Sequence, residues 1–143
     1  MNTTQGFELM TDGEPTRVHA WGKTINELFG NCLCAVASLM KPSVLAAGTK
    51  ARKAKQFLRV DAVDINTLLA EFLSKVIGLS DIHNLIFTKV IFKHIGDNFL
   101  EGELSGVLAD TIEREIKAVS YHDVDIKRNP ISGLYETTLV FDI

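Results

Sequence analysis

Few residues in this 143-residue chain have chemistry to offer: an acidic turn, Thr11-Asp12-Gly13-Glu14-Pro15, four histidines and two cysteines. Paired acids in a turn suit a hard divalent cation, which takes oxygen ligands. They suit a plain connection between strands equally well. His19, His83, His94 and His122 have neither the i,i+4 helical spacing nor the short-loop spacing of a zinc site. His19 and His122 both fall in predicted strands, so a shared metal stays open for that pair, beside the commoner role of a satisfied histidine. Cys32 and Cys34 lie two apart within a predicted helix and point in different directions, so they neither chelate one metal nor pair. Small buried thiols in a reducing cytosol fit them best. Lys50, Arg52, Lys53 and Lys55 form a short basic cluster that could meet a phosphate backbone. Without interleaved aromatic residues to stack bases, a solvated loop explains it better. Nucleophilic catalysis finds no support, since there is no nucleophile elbow, no phosphate-binding loop and no dinucleotide glycine fingerprint.

The elements that must position these residues follow from periodicity. "GFELM" and "TRVHAW" alternate as short strands. Thr24 and Glu27 form a capping box that opens a helix carrying Ile25, Leu28, Phe29, Cys32, Val36, Leu39 and Met40, closed by Pro42. A polar connection, "SVLAAGTKARKAK", leads to the strand "QFLRVDA". Asp64 then caps a second helix with Ile65, Leu68, Leu69, Phe72, Val76 and Leu79 on one stripe. "NLIFTKVIFKHI" and "NFLEGELSG" read as a hairpin about Gly96-Asp97. "REIKAVSYHDVDI" and "LYETTLVFDI" read as another pair, joined through "KRNPISG". Two helices and about seven strands, mostly hairpin-linked, predict an α+β two-layer sandwich with the helices on a largely antiparallel sheet, in a single domain over 1–143.

Composition narrows the classes further. The formal net charge of −3 supplies no general basic field for nucleic acid. No apolar run approaches the ~20 residues of a membrane helix, and the opening "MNTTQGFELM" does not read as a signal peptide. A soluble cytoplasmic protein is expected.

Taken in order, "GFEL", "HAWGKTINELFGNCLCAVASLM", "EIKAVSYH" and the terminal "LVFDI" resemble the archease family across essentially the whole chain. In that family an opening strand leads to an acidic turn, a W-G-K-T-like run and a helix. A K-A-V-T-Y-H-like strand and a C-terminus of aspartate plus one apolar residue come later. The resemblance implies a non-enzymatic accessory protein. It would promote guanylylation and turnover of a GTP-dependent RtcB-type RNA ligase in tRNA splicing and RNA repair, meeting RNA only indirectly. It also implies a divalent metal, calcium or magnesium, at an acidic tip. The family's ligands are an aspartate of the first turn, the penultimate aspartate and the terminal residue. Here the last two correspond to Asp142 and Ile143, the latter through its main-chain oxygens only.

The chain departs from the family at two places. Aligned back from "HAW" without a gap, the first-turn aspartate falls on Pro15. Either Glu14 or Asp12 replaces it through a shifted turn, or the site is weakened or lost. Where the family favours a Trp-Leu-Asn-Glu-like run on the second helix, this chain has Phe72-Leu73-Ser74-Lys75. The alternative reading is therefore a divergent binding or chaperone-like module of the same fold, without ligase activation or metal. A metal-dependent hydrolase would require His19 or His122 beside Asp142.

Overall fold

The computed structural model describes residues 5–10, 16–45, 53–109 and 111–143. The chain forms β1 (Phe7–Met10), β2 (Thr16–Gly22), α1 (Ile25–Met40), a short 3-10 turn (Pro42–Leu45) and β3 (Lys53–Asp61). Then come α2 (Ile65–His83), β4 (Leu85–Ile95), β5 (Phe99–Leu108), β6 (Ala118–Val119), β7 (Lys127–Arg128) and β8 (Tyr135–Asp142). The α+β class holds, with two helices packed on antiparallel sheets. The strands divide between two sheets, one ordered β1-β2-β8-β6 with β7 also on β8, the other β3-β5-β4. Every strand pair is antiparallel.

Both helices begin where their caps place them. The Glu27 N–H donates to Thr24 Oγ1 at 3.1 Å, while the Glu27 carboxylate accepts from the Lys23 N–H at 3.3 Å. The second half of the expected capping box is thus displaced by one residue. At α2 the Thr67 N–H donates to Asp64 Oδ1 at 2.8 Å, which holds that carboxyl below its ordinary range. Asn84 ends the helix in the left-handed conformation that its short polar side chain tolerates.

Most of the predicted helix stripes lie in the core, with Ile25, Ile65 and Leu79 partly buried at its margin and Leu33, Leu73 and Ile77 buried beside them. Leu28, Phe29, Val36 and Leu39 of α1 are buried, as are Leu68, Leu69, Phe72 and Val76 of α2. Phe29, Phe72 and Phe92 stand 5.7 to 6.2 Å apart, ring to ring, and join both helices to β4. Aromatic clusters of this spacing add to the free energy of area burial. Because α1 packs on β2 and β4, and α2 on β3, β4 and β6, the helices bridge the two sheets.

Gly22 explains the "WGKT" corner physically. A Cβ there would lie 2.5 Å from the Leu28 backbone nitrogen, so only glycine lets α1 fold back this closely on β2. Thr24 caps the helix two residues later.

Two sequence expectations need correction. The basic connection is shorter than expected, since β3 already begins at Lys53; Lys50 and Arg52 lie outside the described residues. The long strand expected over 114–126 is reduced to Ala118–Val119. Its buried apolar residues, Ile116, Val119 and Val124, are spaced three and five apart, which no strand can put on one face. Ser120 Oγ donates to Asp123 Oδ2 at 2.6 Å and closes a local turn instead. His122 sits in that turn, exposed. Among the described residues no helix is long and apolar enough to cross a membrane.

Candidate functional site at the end of the central strand

β8 runs between β2 on one side and the short β6 and β7 on the other, so its end is held from both flanks. Leu139 and Phe141 face the core and are fully buried, whereas Asp142 is exposed on the opposite side of the strand, as simple alternation predicts. The Asp142 carbonyl oxygen accepts the Lys117 N–H at 2.8 Å, and the Ser120 N–H binds the Val140 carbonyl oxygen at 2.8 Å. Main-chain bonds fix the backbone here and leave the Asp142 carboxylate in solvent. Ile143 is half-buried, its side chain packed against the core, which anchors the terminal residue.

Thr16 pairs with Phe141, so the start of β2 lies beside the end of β8. β2, rather than the opening strand β1, is therefore β8's neighbour. The turn 11–15, with Asp12, Glu14 and Pro15, lies outside the described residues. Among the described residues no three His, Cys, Asp or Glu side chains come together as a metal site. For a hard cation, which takes six to eight oxygens, the end of β8 offers the Asp142 carboxylate and main-chain oxygens.

His19 is not at this end. It pairs with Thr138, four residues before Asp142 and roughly 13 Å back along the strand. There it borders a surface hollow of about 300 Å³ with Asp123, Asp125, Lys127 and Glu136. Lys127 already neutralises Asp125 across 3.3 Å, and the Asp125 N–H donates to the buried Thr137 hydroxyl at 3.2 Å. Sequence reasoning missed this grouping because 114–126 read as a strand. The Ser120-to-Asp123 spacing, a local side-chain turn, was the available signal.

The cysteines are structural. Cys32 is fully buried, and burial pushes its thiol far above the ordinary range. Burial raises Cys34 too, and its Sγ donates to the Thr88 carbonyl oxygen at 3.4 Å. Neither offers a thiolate. Of the expected K-A-V-T-Y-H features, Tyr121 donates its hydroxyl to Ser74 Oγ at 3.2 Å, tying this loop to α2.

Two helices laid across two antiparallel sheets, with the Asp142 carboxylate exposed at the end of β8, define a small α+β domain. Residues 9–143 match the model of the archease protein family (MTH1598/TM1083). The chain belongs to the archease family. It is 31% identical over 133 residues to the archease of Pyrococcus furiosus, covering 88% of this chain and 90% of that one. With the archease of Sulfurisphaera tokodaii it shares 26% over 144 residues, covering 97% and 99%. Among solved structures, protein 1598 of Methanobacterium thermoautotrophicum superposes with a TM-score of 0.72 at 22% identity, over 97% of this chain and 99% of that one. A Thermotoga maritima archease, described as a possible chaperone, gives 0.62 at 16% identity, over 94% and 98%. These likenesses show the fold. The family assignment agrees with a non-enzymatic protein.

Proposed function

We propose that this archease is an accessory protein of a GTP-dependent RNA ligase of the RtcB type in the cytoplasm. It promotes the ligase's guanylylation and turnover in tRNA splicing and RNA repair. The observation that carries the reading is the exposed Asp142 carboxylate, held at the end of the central strand in a chain that matches the family from residue 9 to its terminus. A rigid acidic end on a small domain suits insertion into a basic, phosphate-binding site.

A divalent cation, calcium or magnesium, fits this end only as a weakly held ion. Asp142 and the terminal oxygens of Ile143 would hold it, with Glu14 or Asp12 completing the set, and several waters would remain on it. When bound, it adds a compact positive charge to an acidic tip. Calcium or magnesium titration should show weak binding that Asp142→Ala abolishes. Tight binding that survives the substitution would place the ion elsewhere.

A second reading, a binding or chaperone-like module without ligase activation, is favoured by Pro15 at the position of the family's first aspartate. One assay separates the two. The cognate ligase is incubated with GTP, with and without this protein, and the covalent guanylate is quantified. Faster guanylylation supports the first reading, and an unchanged rate supports the second. GTP hydrolysis or RNA joining by the isolated protein would contradict both.

A further inference from the structure

Between α1 and β4 runs an open groove of about 530 Å³. On the helix side it is lined by Glu27, Gly30 and Cys34, about a turn apart. On the strand side it is lined by the unbroken run Thr88–Phe92. Successive side chains of a strand point to opposite faces, so five consecutive residues border one hollow only along the strand's edge, where the backbone itself is met. β4 is the last strand of its sheet and pairs with β5 alone among the described residues. Every second residue on that free edge directs its N–H and C=O away from β5. Register shifts at Thr88 and Lys93 bracket a regular stretch, Lys89–Phe92, of about 13 Å.

Two further features say what would fit. A Cβ on Gly30 would meet nothing within 4 Å among the described residues. Glycine is unfavourable inside a helix, and no close approach among those residues requires it there. Its missing side chain keeps the groove open to another backbone. Gly78 of α2 is equally uncrowded, so Gly30 gains its meaning from the strand edge opposite. The second feature is charge. Lys89 and Lys93 are exposed and form no ion pair among the described residues, while the Glu27 carboxylate is turned to the Lys23 N–H. Lysines on an edge repel a like edge, and by the same charge they admit an acidic strand.

We infer that this groove takes an extended acidic segment of a partner protein, which adds to β4 as a further strand. Main-chain hydrogen bonds to Lys89–Phe92 hold it, α1 covers its far side, and the two lysines select its charge. The inference is independent of the ligase proposal and of the Asp142 end.

The test is an amide NMR titration of the full chain with the blocked peptide TEVEVTE. Shifts should be confined to Thr88–Phe92 and the facing turns of α1. N-methylation of one alternate set of peptide amides should abolish them, and methylation of the other set should not. Replacing the peptide's glutamates by lysines should weaken binding roughly tenfold. Gly30→Phe, which grows into open space and improves helix propensity, should weaken it roughly tenfold or more with an unchanged circular dichroism spectrum. Absence of shifts at millimolar peptide, shifts elsewhere, indifference to the methylation pattern, or full binding by Gly30→Phe would overturn the proposal.

Discussion

The two ends of β8 are built differently. At one end Tyr135 pairs with Gly22, where the backbone of α1 turns back onto β2 and a threonine cap starts the helix. At the other end Asp142 pairs with the two-residue strand β6, its main chain is bonded and its carboxylate is exposed. The first end is committed to holding the fold. The second is held by the fold, and the Asp142 side chain makes no part of that hold. The family-like motifs therefore divide: "WGKT" is explained by packing and capping, whereas the terminal "DI" is only half explained, through the buried side of Ile143.

That division can be broken by substitution. Phe72→Ala, where α2 meets α1 and β4, should remove the centre of the aromatic cluster and cost about 3–5 kcal/mol. Urea unfolding measures it, and a loss below 1 kcal/mol would mean the helices are not held there. At the corner itself, Gly22→Ala should cost about 1–3 kcal/mol, because the new methyl meets α1 backbone that cannot swing aside. Thr24→Ala removes a single cap and should cost about 1 kcal/mol.

The cap of α2 adds a pH signature that sharpens the same comparison. The Thr67 N–H lowers the Asp64 carboxyl relative to the unfolded chain. Its stabilisation is therefore complete above the ordinary carboxylate range and is lost as pH falls through the lower, folded value. The gap in melting temperature between wild type and Asp64→Ala should shrink on acidification. A gap that widened would reverse the assignment. Smallest of all should be the effect of Asp142→Ala on stability, within about 0.5 kcal/mol, since the side chain is exposed and only its backbone is engaged.

Local chemistry was legible in the sequence, and long-range assembly was not. Thr24 and Asp64 marked both helix starts, because a cap needs only residues three apart. The burial of Leu28, Phe29, Leu68 and Phe72 followed from one helical period. The outward face of Asp142 followed from strand alternation. The partition into two sheets depends on which distant strands meet, β2 with β8 and β3 with β5, and no local pattern carries that. The segment 114–126 failed for a related reason. Val119 and Val124 are both buried, but a turn between them re-aims the chain, and Ser120 and Asp123 build it from side-chain chemistry that resembles ordinary strand polarity. The groove along β4 was equally invisible, since an edge exists only once the strand order is known.

The most direct test of the division between a structural and a functional end is the guanylylation of the cognate ligase, measured with wild type, Thr24→Ala and Asp142→Ala below the melting temperature of each. The account predicts that Thr24→Ala stimulates as well as wild type, while Asp142→Ala loses stimulation roughly tenfold or more with its fold unchanged. Full stimulation by Asp142→Ala would contradict it.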